Sequence, residues 1–387
     1  MIWGAKTTAK PHTGPRFTLK RKASMPSIFQ TPAWVRQTAV ALLMGLTLQV
    51  QAADTALAQG CTPDQPSGSI HVQGFVRIEG IDQWVTIDGA RCDNPVILMV
   101  HGGPGNPNTP HAEAVYGAWT RDFTLVQWDQ RGAGKTFGRN PGTADSVLTM
   151  DQLTRDGIAV AEWVNQRLGQ PKVILMGSSW GSALGVHMAK RRPALFHAYV
   201  GTAQLVSQQA NMAAFYAKTL ERVRAAGDKK TAATLTALGA PPWLNPRAFG
   251  VVRRASRPLE ADRTTAPPAH WWRPAAAYAT PQVLADAEQG EDYSWLQFVG
   301  LKNDGMAATI DLPRLGTRFA LPVYLLQGTE DLLTPPEVTQ PYFDSLQAPD
   351  KALVLVPLAG HDPNEPMLAA QWQVLKERVL PRLKNAK

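Results

Sequence analysis

Cysteine is nearly absent. The 387 residues contain two, Cys61 and Cys92, which lie 31 positions apart and in no Cys-x-x-Cys pair. That excludes a structural zinc site built on thiolates. It leaves one disulfide, formed in an oxidising compartment, or two free thiols. Acidic residues are missing altogether from positions 1–52, which carry Lys6, Lys10, Arg16, Lys20, Arg21, Lys22 and Arg36. These seven account for nearly all of the formal charge of +8. The rest of the chain is close to neutral, so composition gives no support to a nucleic-acid partner. The apolar run Thr38–Val50 has only 13 residues, short of the roughly twenty that a spanning helix needs. Internal repeats and long low-complexity tracts are also lacking. Two near-motifs fail for want of one part each. GAGKT (Gly132–Thr136) has Asp129 where a P-loop needs its first glycine. HAE (His111–Glu113) is followed by no Pro-Cys-x-x-Cys.

What remains is an ordinary globular composition, 44% hydrophobic and 18% charged, with ample material for a core. Residues 1–52 read as an export segment: basic residues, a short apolar run, then Val50–Ala52 as a small-residue cleavage position. Met25 is an alternative start that gives a signal of normal length. The expected mature protein begins near Ala53, is periplasmic or secreted, and keeps no stable membrane span. A Cys61–Cys92 bridge would then tie its N-terminus to the early sheet.

Ser69–Gly89 alternates apolar and polar residues between glycines, the pattern of antiparallel strands. Four buried runs follow, at 95–100, 123–129, 172–177 and 197–203, separated by helical patterns at 152–169 and 182–193. Strands without alternation that are separated by helices indicate a parallel sheet buried on both faces. Residues 53–204 form the first part of this core. From 205 to 312 the pattern becomes helical and irregular, rich in proline and in tryptophan (Trp243, Trp271, Trp272, Trp295), and reads as an inserted cap. Residues 313–387 resume the sheet, with runs at 321–327 and 352–361 and a closing helix at 371–383.

GSSWGS (Gly177–Ser182) stands where a buried run ends and a helix begins. In Gly-x-Ser-x-Gly the small flanking residues permit a sharp turn that holds the central serine, Ser179, at its apex. Ser178 is one residue early. A serine nucleophile needs a base, and the base needs a carboxylate to orient it. On this kind of sheet the chain order is Ser, acid, His. Asp331 follows the run 321–327 and His361 follows the next, both beyond strand ends on the edge of Ser179. Glu330 is the rival acid, with a poorer fit to the spacing. His101, His187 and His197 precede the acid or lie in helix or strand. The oxyanion requires backbone donors. Trp180, just after the serine, is one. Gly103 in HGGPG (His101–Gly105) is the other, since Pro104 has no N–H.

HGGPG at 101–105, WDQRGAGKT at 128–136, GSSWGS at 177–182, GTED at 328–331 and GH at 360–361 together resemble the proline iminopeptidase branch of the α/β-hydrolases, over roughly residues 70–385. The resemblance implies an α/β-hydrolase fold with a helical cap. It further implies a serine peptidase that removes N-terminal residues, typically proline, from small peptides without cofactor or metal. Ser179, Asp331 and His361 match the family's triad positions. The family holds the substrate's free amine with cap carboxylates, one of them in a Trp-Glu pair, and no such pair occurs in this cap. Glu288, Glu291 and Asp292 stand in its place by proximity. The alternatives are an esterase or amidase on the same fold, or a non-catalytic binding protein, which would be expected to lack a triad member.

Overall fold

The computed structural model describes residues 61, 68–143 and 146–384. The export segment and the expected mature start near Ala53 lie outside them. The described residues belong to one compact unit, built on an eight-stranded sheet. Its strands are β1 (Ile70–Ile78), β2 (Ile81–Gly89), β3 (Val96–Val100), β4 (Thr124–Trp128), β5 (Val173–Ser178), β6 (Phe196–Thr202), β7 (Val323–Gly328) and β8 (Lys351–Val356). The spatial order is β1-β2-β4-β3-β5-β6-β7-β8. The alternating pair β1 and β2 is antiparallel, and β2 joins β4 antiparallel. Every later pairing is parallel. Strands β3, β4 and β7 are buried at every residue, because helices cover both faces.

Two short helices, α1 (Ala112–Tyr116) and α2 (Gly134–Arg139), precede the longer α3 (Met150–Leu168). Thr149 caps the start of α3 through the Gln152 N–H, and Gly169 ends it in the left-handed conformation. Helix α4 (Trp180–Arg191) leaves β5 directly, and Pro193 lies just past its end. Between β6 and β7 the chain is helical: α5 (Gln208–Ala225), α6 (Lys229–Leu238), α7 (Arg247–Ala261) and α8 (Pro281–Val299), with short turns between them. Phe215, Val223, Leu235 and Val252 give this insertion a small core of its own, which also takes in Leu332. Helix α9 (Pro336–Ser345) and α10 (Glu365–Val374) close the fold, and Asn364 caps α10 through the Met367 N–H. Cys61 and Cys92 are joined by a disulfide, with Cα atoms 5.3 Å apart. It ties residue 61 to the connection between β2 and β3. Among the described residues no helix is long and apolar enough to cross a membrane.

The β5–α4 junction depends on two glycines. A Cβ on Gly177 would lie 2.3 Å from the Gly181 carbonyl oxygen, and one on Gly181 would lie 2.1 Å from that of Val100. The helix start therefore crosses the end of β3 at a distance that only hydrogen allows. Gly181→Ala is expected to lower stability by about 1–3 kcal/mol or more, measured as a drop in thermal midpoint. An unchanged midpoint would refute this reading of the crossing.

Candidate active site

Ser179 sits between β5 and α4 with φ 53° and ψ −122°, a conformation that costs a non-glycine residue about 1–3 kcal/mol. Serine at a helix start ordinarily spends its hydroxyl on capping. Here it makes no cap. Its Oγ instead lies 2.9 Å from His361 Nε2. On the other side of the ring, Nδ1 lies 3.1 and 3.2 Å from the two Asp331 oxygens. The three sequence candidates, drawn from loops after β5, β7 and β8, meet in one line. Ser178 continues β5 and does not line the cavity described below.

Asp331 is buried and held from several directions. Its Oδ1 accepts from the Leu333 and Thr334 N–H groups at 2.9 and 2.8 Å. Its Oδ2 accepts from Thr334 Oγ1 at 2.7 Å and Gln327 Nε2 at 3.0 Å. Burial opposes its anion, but the facing imidazole and these donors prevail and hold the carboxyl well below its ordinary value. Burial likewise disfavours a charged His361, yet the charge and hydrogen bond of Asp331 lift the imidazole above its ordinary value. Such a line can take a proton from Oγ and hold the resulting cation. Glu330 is engaged elsewhere, 2.9 Å from Arg222.

Gly103, Ser179 and Trp180 share one cavity wall. Trp180 begins α4, so its N–H has no intrahelical partner and is available to an oxyanion. His101, set aside above as a base, and Gln130, named only within a motif, both brace this wall. The Gln130 N–H donates to His101 Nε2 at 3.2 Å, and Gln130 Nε2 donates to the His101 carbonyl at 3.0 Å. Gln130 Oε1 accepts from the Trp180 indole at 2.9 Å. His101 Nδ1 faces the Gly102 carbonyl at 2.8 Å, and burial holds the ring's pKa down at about 4. A neutral ring with its proton on Nδ1 satisfies both contacts. Gln130 thus bolts the glycine loop to the residue after the serine.

The cavity holds about 350 Å³. Beyond the serine its walls are Met212, Trp243, Phe249, Trp295, Phe298 and Val299, with Gln208, Gln209 and Asn303 as polar members. Among the described residues no Asp, Glu, Lys or Arg lines it. The acids of the cap segment are not among the lining residues. Glu288, Glu291 and Asp292 belong to helix α8. Glu288 and Asp292 are exposed and Glu291 is half-buried, its Cα facing Gly105. Glu288 and Asp292 share a helical stripe with Trp295 and Val299 but lie nearer the start of α8, where they are exposed, and only the last turns of the helix line the cavity.

An eight-stranded, mostly parallel sheet with a serine elbow after β5 and a helical insertion after β6 defines an α/β-hydrolase. Residues 94–365 match the family model for serine aminopeptidase, S33, and the chain belongs to that family. It is 28% identical over 313 residues to "Probable aminopeptidase YbaC" of Bacillus subtilis, covering 78% of this chain and 95% of that protein. A proline iminopeptidase of Neisseria gonorrhoeae is 28% identical over 120 residues, 31% of this chain and 36% of its own length. Among solved structures, a proline iminopeptidase-related protein of Thermus thermophilus superposes with a TM-score of 0.53 at 20% identity, covering 81% of this chain and 99% of its own. The proline iminopeptidase of Mycobacterium smegmatis gives 0.52 at 19%, covering 81% and 96%. At such identity these superpositions speak for the fold alone. Together with the family match, the chain is a proline iminopeptidase-like α/β-hydrolase.

Proposed function

We propose that the protein is an exported serine aminopeptidase that releases apolar N-terminal residues, proline among them, from small peptides. The observation that carries it is the Ser179–His361–Asp331 line opening on an apolar cavity. Ser179 Oγ attacks the carbonyl of the scissile bond as His361 takes its proton. The oxyanion rests on the Trp180 N–H and on Gly103. His361 then protonates the leaving amine, an acyl-enzyme remains, and water completes the cycle by the same route. Asp331 orients the imidazole throughout. The relatives named as aminopeptidases support the peptide substrate. The composition of residues 1–52 and the Cys61–Cys92 bridge support export.

A second reading is an esterase or amidase for neutral apolar acyl groups. It is favoured by the cavity lining, which offers a substrate ammonium no carboxylate. A buried cation without a partner costs several kcal/mol. Aminoacyl amides with free and acetylated N-termini separate the two. In an aminopeptidase, acetylation is expected to lower kcat/KM by at least about tenfold, roughly 1.4 kcal/mol of transition-state binding. Equal turnover of blocked and free substrates would remove the aminopeptidase reading and leave the second.

A further inference from the structure

The helical insertion grips the loops that carry both Asp331 and His361. Glu260, near the end of α7, is buried and accepts the Leu332 N–H at 2.7 Å through Oε1. Its Oε2 lies 2.6 Å from Nη1 of Arg253, two turns back on the same helix. Arg253 Nη2 reaches the Asp362 carboxylate at 3.6 Å. Glu260 also packs near Gly360, where an added Cβ would lie 3.7 Å from its own. One helix therefore contacts the residue after Asp331 and the residues on either side of His361. The two loops are further joined by the Glu330 N–H, which donates to the Ala359 carbonyl at 3.0 Å.

Stability alone does not account for such a pair. The side chains of Arg253 and Glu260 are 10% and 8% exposed. Desolvating two charges so deeply commonly cancels their attraction, and apolar residues of like volume often serve the fold as well. What apolar residues cannot supply is an acceptor for the Leu332 N–H and a balanced charge beside the imidazole.

We propose that the buried Arg253–Glu260 pair is a positioning clamp for hydrolysis, holding the acid loop at Leu332 and the histidine loop at Asp362 in register. It rests on the roles proposed above for Ser179, Asp331 and His361. The charged groups facing His361 are Asp331 and Asp362 from the two loops and Arg253 and Glu260 from α7. Arg222 from α5 is paired with Glu330, one residue from Asp331. Asp331 and Asp362 favour the imidazolium and Arg253 disfavours it. Glu260 neutralises Arg253.

The sign of each variant follows from that balance. His361 must be neutral to act as base, so the acid limb of kcat/KM reports its pKa in the free enzyme. Glu260→Gln keeps an acceptor for Leu332 and removes the charge. It leaves Arg253 uncompensated, and the limb is expected to move to lower pH by about half a unit or more. Arg253→Gln is expected to move the limb to higher pH. Glu260→Ala also loses the acceptor, and its kcat is expected to fall by roughly tenfold or more at unchanged KM. Each variant is assayed on a p-nitrophenyl ester of a short acid, with thermal unfolding to show that it is folded. If Glu260→Ala does not fold, the two glutamine variants decide through their opposite limbs. Folded variants with the wild-type limb, or with limbs displaced in the same direction, overturn the clamp while leaving the site reading intact. Undiminished turnover by Ser179→Ala overturns both.

Discussion

Ser179→Ala is expected to lower kcat by roughly 10⁴- to 10⁶-fold, the range seen when a serine nucleophile is removed from a working triad. Folding should survive. The hydroxyl caps no helix, and its hydrogen-bond partner is His361. Alanine bears the same φ of 53° at about the same cost as serine, so the stability change should stay within roughly 1 kcal/mol. The comparison variant is Ser178→Ala, one residue earlier on β5 and away from the cavity, which should keep most of the activity. An organophosphonate that modifies active serines should add its mass to the peptide holding Ser179, and to no peptide of the alanine variant. Retained turnover in Ser179→Ala, or labelling elsewhere, would sink the mechanism.

The second large effect is expected at Asp331. Asp331→Asn preserves size but offers the site a donor where the native group only accepts. Gln327 Nε2, Thr334 Oγ1 and two backbone N–H groups already donate to this carboxylate. An amide NH₂ cannot accept from them, so it is driven towards His361 Nδ1 and favours the tautomer with its proton on Nε2. That proton faces Ser179 Oγ, and the ring can no longer act as its base. The expected loss in kcat is about 10⁴-fold, with KM little changed. Glu330→Gln, by contrast, breaks an ion pair with Arg222 and should leave most of the rate. If the two substitutions cost the same, Asp331 is not the orienting acid.

Much of the site is legible in the sequence, and the reason is local. A continuous apolar run followed by Gly177–Gly181 announces a buried strand and a tight turn into a helix, because both properties reside in adjacent residues. Chain order then makes Asp331 and His361 the partners. The choice of Asp331 over Glu330 rests on spacing; in the structure the first faces the imidazole and the second faces Arg222. The cap is less legible. Its acidic segment attracts attention by composition, but which turns of α8 reach the cavity depends on where along its length the helix lies against Gly105 and Gly132. Arg253 and Glu260 carry no motif. Their importance comes from Leu332, 72 residues further along than Glu260.

The sequence by itself determined the strand and helix pattern, the serine elbow, the acid and the histidine, since apolar periodicity and turn chemistry act between near neighbours. Tertiary structure alone decided the neutral cavity wall, the bracing of the oxyanion loop by His101 and Gln130, and the clamp from α7. Those features are contacts between segments tens to hundreds of residues apart, and the free energy of such a contact depends on burial and orientation that exist only once the sheet and the insertion have come together.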